Sequence, residues 1–214
     1  MTAFWKKKPK APEPPLINRV AGVIPAAGAS SRMGTPKALL DAGGRSFVAA
    51  VVGSLVAGGC DPVVVVTAPG SPDVARRAQA AGAVVLENPE PGEGPITSLR
   101  LAIQALGDGV AGVALLPVDH PLVMPETVAA LLEAFRAGEA PLVLPQHEGT
   151  RGHPAILARG LFPRLLDPGL QGGARTVVHD HLESALLVPV DDAGVVTDID
   201  TPEAYQAAFS ARAP

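Results

Sequence analysis

A chain of 214 residues is long enough for one sizeable α/β domain and leaves little room for a second. Hydrophobic residues make up 47% of it but aromatic ones only 3%, so its core has to be built from Ala, Val, Leu and Ile. The net charge of −4, with no basic stripe in the body, argues against a nucleic-acid partner, and the single Cys60 excludes an internal disulfide, which suits a reducing, cytoplasmic setting.

The first stretch, residues 1 to about 18, is rich in Lys and Pro and lacks periodicity. It reads as a flexible tail, leaving 19–214 as a single domain. Pro9, Pro12, Pro14 and Pro15 stand where a signal peptide would carry its apolar run. The longest uncharged apolar run, Phe47 to Cys60, is too short and glycine-rich to span a membrane, so no membrane partner is expected.

From Arg19 strand and helix patterns alternate. Val20 to Pro25 predicts a central strand, Ser46 to Ala57 a helix, and Val63 to Val66 a second strand. Ser71-Pro72-Asp73 combines an N-cap, a proline at the first helical position and an acid in the first turn, predicting a helix to about Ala81. Ala83 to Leu86 is a third strand, Ile96 to Leu106 a helix, and Val113 to Leu116 a fourth strand that runs into Asp119. Pro125 to Ala137 has helical spacing at Val128, Leu131, Leu132 and Phe135, and Leu142 to Leu144 is a fifth strand. The remainder is less regular. A turn at Gly149 to Gly152 leads to a strand at His153 to Leu157, open to antiparallel pairing. Helices at Gly160 to Leu166 and Ala174 to His181 precede a late strand at Ala185 to Val190. Thr201-Pro202-Glu203 repeats the cap signature and starts a helix to about Phe209. Such alternation predicts an α/β fold with a mostly parallel sheet covered on both faces, its ligands bound beyond the carboxyl ends of the strands.

Several stretches carry chemistry. The first strand breaks into the small residues Ala26, Ala27, Gly28, Ala29 and Ser30, followed by Arg32 and by Pro36-Lys37. A concave run of backbone amides with two nearby cations is an anion cradle. Asn88-Pro89, Gly94 and Ser98-Leu99 form a loop that enters a helix, with Gly94 allowing close approach and Ser98 offering a free hydroxyl in the first turn. Asp119 follows a buried strand, with His120 beside it as a neighbour without chemistry. Asp198 and Asp200 alternate in Asp198-Ile199-Asp200-Thr201-Pro202-Glu203 and so share one side of an extended segment. Gly152-His153-Pro154 and Gly173-Ala174-Arg175 are further loop motifs. His179, Asp180 and His181 read as a solvated surface, since i and i+2 diverge on a helix.

The ordered set from Ala26 to Lys37 resembles the A-A-G-x-S-x-R-M-G-x-P-K signature of the MobA-like NTP transferases, the nucleotidyltransferases of the molybdenum-cofactor type. The resemblance extends over about Val20 to Phe209. It implies a Rossmann-like (GT-A-like) three-layer sandwich and transfer of a nucleotidyl group with release of pyrophosphate. It further implies nucleotide binding by Ala26 to Ser30, Asn88, Gly94 and Ser98, and charge neutralisation by Arg32 and Lys37. Asp119 would be one ligand of a Mg²⁺ ion, and Asp200, favoured over Asp198, the second. The details Ala-Ala-Gly, Pro-Lys and Gly-His-Pro resemble the cytidylyl-transferring branch, implying CTP, a phosphorylated acceptor such as molybdopterin, and a molybdoenzyme or cofactor-insertion partner. His153 and Arg175 would lie on the acceptor side. Relatives have Gly-Asp where this chain has Leu170-Gln171, which bears on the acceptor, and an acid where it has Ala204. A methylerythritol-phosphate-type cytidylyltransferase and an inactive nucleotide-binding module are the alternatives. Nothing resembles a dinucleotide fingerprint with its distal acid.

Overall fold

The computed structural model describes residues 19–28 and 35–210. The nucleotide-loop residues Ala29, Ser30 and Arg32 and the tail therefore lie outside the described residues. Among the described residues eight strands form one sheet in the order β3-β2-β1-β4-β7-β5-β6, with β8 paired to β5.

β1 (Val20–Ala26) lies between β2 (Val63–Thr67) and β4 (Gly112–Leu115), parallel to both, and β3 (Val84–Glu87) continues the parallel set beyond β2. The continuous Val63-Val64-Val65-Val66 run is buried on both faces, as an interior parallel strand requires. β7 (Ala155–Ala158) is antiparallel to β4 and to β5 (Leu142–His147), which in turn is parallel to β8 (Leu186–Pro189). The short β6 (Thr150–Arg151) folds back on β5 around the Glu148-Gly149 turn, both residues at positive φ. The Gly149 to Gly152 stretch expected as a turn thus contains a strand.

Two layers of helix cover the sheet. α1 (Phe47–Ala57), α2 (Pro72–Ala80) and α4 (Pro125–Ala137) enclose one core, including Val51, Leu55, Ile24, Val65 and Leu131. α3 (Pro95–Leu106), α5 (Phe162–Leu166) and α6 (Ala174–Asp180) enclose the other, including Leu99, Val23, Val66, Leu157 and Val177. α1 is rich in β-branched residues, yet its buried positions Phe47, Val48, Val51, Val52 and Leu55 pack as a helical face, so tertiary burial overrides propensity. It stops at Gly58-Gly59, the second at φ 100°, a conformation open to glycine. α2 begins at Pro72 as predicted, but the Ser71 side chain makes no cap hydrogen bond. α7 (Pro202–Ser210) is capped by Thr201, whose Oγ1 accepts the Ala204 N–H at 3.2 Å. No helix among the described residues is long and apolar enough to cross a membrane.

Candidate active site

β1 ends at Ala26, and the chain continues through buried Ala27 to exposed Gly28. The chain re-enters the described residues at Thr35, and Lys37 opens a single 3₁₀ turn, Lys37–Leu39, that buries Ala38 in the α1-side core. β4 ends at Leu115 beside Val23 of β1, and the loop after it carries Asp119. The segment after β8 makes a 3₁₀ turn at Ala193–Val196 and then runs extended to Asp200. Ile199 is fully buried while Asp198 is exposed and Asp200 half-buried, as their alternation demands.

These segments meet. The Ile199 N–H donates to the Asp119 carbonyl at 2.9 Å, which lays the extended segment before Asp200 along the Asp119 loop. The Lys37 ammonium donates to Asp200 Oδ1 and lies 3.7 Å from Asp119 Oδ2. Burial pushes the Asp119 carboxyl up from its ordinary range; the Lys37 charge pulls it back, and the neighbouring Asp200 adds to the upward push. Two half-buried carboxylates drawn to one cation form a hard-oxygen donor pair. Mg²⁺ and Mn²⁺ are bound well by one or two carboxylates completed by substrate phosphates. Among the described residues no set of three His, Cys, Asp or Glu gathers as a metal cluster, so such an ion would complete its shell with oxygens from water or substrate.

His120 is buried under this pair. Its Nε2 lies 3.9 Å from Asp119 Oδ1, and its ring packs against that of His153, centroids 4.8 Å apart and planes tilted by 55°. His120 Nδ1 has no hydrogen-bond partner among the described residues. Desolvation lowers both imidazoles, His153 to about 4. His153 Nδ1 contacts the Leu115 carbonyl at 3.4 Å, and the His153 backbone N–H donates to the Val195 carbonyl at 2.8 Å. The motif containing His153 therefore joins the carboxylate cluster, and His120 is more than a bystander in the packing.

The second loop behaves differently from its sequence expectation. Asn88 is 2% and Ser98 1% exposed. The Asn88 amide donates to Thr97 Oγ1 at 2.8 Å and to Ser98 Oγ at 3.1 Å, and its Oδ1 accepts the Glu90 N–H at 2.9 Å. The Ser98 hydroxyl is thus engaged rather than free, because Asn88 turns inward to stitch the loop to the first turn of α3. Gly94 stands at φ 92° in that loop, with no atom near a built Cβ. Arg175 is exposed on α6, in the α3-side layer, whereas Lys37, Asp119 and Asp200 come from segments rooted in the α1-side core. His179 and Asp180 are largely exposed, as a solvated surface requires.

Sequence reasoning missed Asp192, a buried carboxylate beside this site. The available signal was α4, whose N-cap position holds Met124 and so needs an acceptor from elsewhere.

The mostly parallel sheet flanked by helices has the nucleotidyltransferase-like α/β fold, which it shares with solved structures of that class. Residues 22–185 match the MobA-like NTP transferase domain, and the chain belongs to that family. It is similar to a probable molybdenum cofactor guanylyltransferase of Mycolicibacterium paratuberculosis, 32% identical over 164 residues, 74% of this chain and 79% of that one. It is 31% identical to the nicotine blue oxidoreductase of Paenarthrobacter nicotinovorans, across 86% of this chain and 93% of that one. A 2-C-methyl-D-erythritol 4-phosphate cytidylyltransferase of Frankia casuarinae is 35% identical over 59% of this chain and 47% of its own. Among solved structures, Rv0371c from Mycobacterium tuberculosis H37Rv superposes with a TM-score of 0.73 at 26% identity, covering 90% of this chain and 98% of that one. Its complex with manganese matches over the same shares with a TM-score of 0.72 at 23% identity. The chain is a nucleotidyltransferase of this family.

Proposed function

We propose that the chain moves CMP from CTP to the phosphate of a molybdopterin-type acceptor and releases pyrophosphate. The observation that carries this reading is the meeting of Lys37, Asp119 and Asp200, three segments far apart in sequence, beyond the ends of β1 and β4. An acceptor phosphate oxygen attacks the α-phosphorus. The bond from that phosphorus to the bridging oxygen breaks, and its electron pair leaves with pyrophosphate. Negative charge grows on the phosphoryl oxygens, and Lys37, released toward them from Asp200, neutralises it; Arg32 is assigned the same work by its place in the motif. Asp119 and Asp200 would hold a Mg²⁺ ion, which would supply Lewis-acid polarisation and orientation of the phosphate groups. The donor pair fits such an ion, and the manganese complex of a protein with the same fold supports a divalent metal. The small residues Ala26 to Ser30 let backbone amides approach the triphosphate. The His153 side of the cluster, next to Asp119, faces the acceptor.

The cytidylyl choice rests on Ala27, Pro36 and the Gly152-His153-Pro154 step. A second reading, guanylyl transfer, is favoured by the relatives named as guanylyltransferases. Pyrophosphate release with Mg²⁺ and molybdopterin, measured across CTP, GTP, ATP and UTP, separates the two. Turnover with CTP is expected; turnover with GTP alone transfers the conclusion to the second reading. Asp119→Ala should abolish turnover with the fold retained by circular dichroism, and an active variant removes Asp119 from the metal role.

A further inference from the structure

Asp192 has no part in the reaction as written above, yet among the described residues it is one of the few buried acidic or basic side chains, at 4% exposure. Its Oδ2 accepts the Met124 N–H at 2.9 Å and the Thr127 hydroxyl at 2.7 Å, and its Oδ1 accepts the Gly194 N–H at 2.9 Å. Met124 occupies the N-cap position of α4, where its thioether cannot do the work of an oxygen cap. Asp192 supplies that cap from another part of the chain, and its charge suits the positive end of the helix.

The consequence is geometric. The loop that carries Asp119 runs directly into Met124, and the segment that carries Asp200 starts from Asp192. Both therefore end on the same carboxylate. Between these anchors the two segments touch backbone to backbone: a Cβ on Gly194 would lie 2.5 Å from the Leu122 carbonyl oxygen and 2.8 Å from Val123 N. Gly152 presses in the same way on the Val195 carbonyl. At the far end the Ile199 N–H bonds to the Asp119 carbonyl.

We infer that Asp192 is a positioning residue: by capping α4 it sets the separation of Asp119 and Asp200, and with it the affinity of that pair for a divalent cation. The inference rests on the metal reading given under Proposed function. Asp192→Asn keeps the shape of the side chain but removes its charge and turns an amide N–H₂ toward groups that are themselves donors. Mn²⁺ binding to the full chain without nucleotide, followed by the electron paramagnetic resonance of free Mn²⁺, should weaken by about 10–100-fold, as loss of support behind metal ligands does. The metal KM for pyrophosphate release should rise in parallel, while kcat at saturating metal stays near that of the wild type.

Ser54→Ala is the matched control. Ser54 Oγ donates to the Val123 carbonyl at 2.7 Å, in the same loop, without touching the Asp192 cap. It should lower Tm and leave Mn²⁺ affinity unchanged. If Asp192→Asn fails to fold, Thr127→Val removes one of the donors and should shift Mn²⁺ affinity in the same direction. Wild-type affinity in Asp192→Asn, or an equal loss of affinity in Ser54→Ala, overturns the inference. Asp200→Asn separates the two levels: if it binds Mn²⁺ like the wild type, the metal reading falls and the inference with it. If Asp200→Asn loses the ion and Asp192→Asn does not, only the inference falls.

Discussion

The Asn88 side chain shows how a residue can sit in a ligand-binding motif without facing the ligand. All of its bonds run to Thr97, Ser98 and Glu90, so it holds the shape of the loop. Removing it strands buried partners, which costs about 1–3 kcal/mol. Asn88→Ala should therefore lower stability by that order in urea unfolding while leaving the ratio of rates with CTP and GTP unchanged. A changed ratio would return Asn88 to the base-reading side. The motif spacing located this loop in the sequence, but whether Asn points in or out depends on where Thr97 and Ser98 stand on α3. No linear pattern contains that.

At the scale of elements, long-period patterns were readable and the contacts between segments were not. The limits of α4 were legible to the residue, because Pro125 starts it and Gly138 follows its end. The placement of β7 between β4 and β5 was not, since a strand of four apolar residues carries no sign of its neighbours. The meeting of Asp119 with Asp200 was reached through resemblance to a family, and the physical device that joins them, the Asp192 cap, was visible only in three dimensions. Helix packing offers a separate test. α1 ends against α4, where a Cβ on Gly58 would lie 2.9 Å from the Pro125 carbonyl and closer still to Val128. Gly58→Ala should push the two helices apart and cost about 1–3 kcal/mol. A urea midpoint equal to that of the wild type would show that the helices yield without strain.

For the whole molecule, the two packed imidazoles tie stability to pH. The folded pKa of His153 is lowered from 6.5 to about 4, and that of His120 moves the same way. The unfolded chain then binds protons that the folded one refuses. The stabilising effect is complete above pH 6.5 and is lost as pH falls toward 4. Urea unfolding from neutral pH downward should show a falling midpoint through this window, and His153→Gln should flatten the fall; an unchanged slope would refute the assignment.

The ion pair between Lys37 and Asp200 spans 163 positions. Among the described residues every strand of the sheet is complete by Pro189, before Asp200 is reached. On a ribosome, which releases a chain from its N-terminus onward, the scaffold can close while the charge set proposed for the reaction is still one carboxylate short. Under the proposed roles, competence to react arrives only after the sheet is made, and a cut between β8 and α7 should abolish turnover while sparing every strand of the described residues.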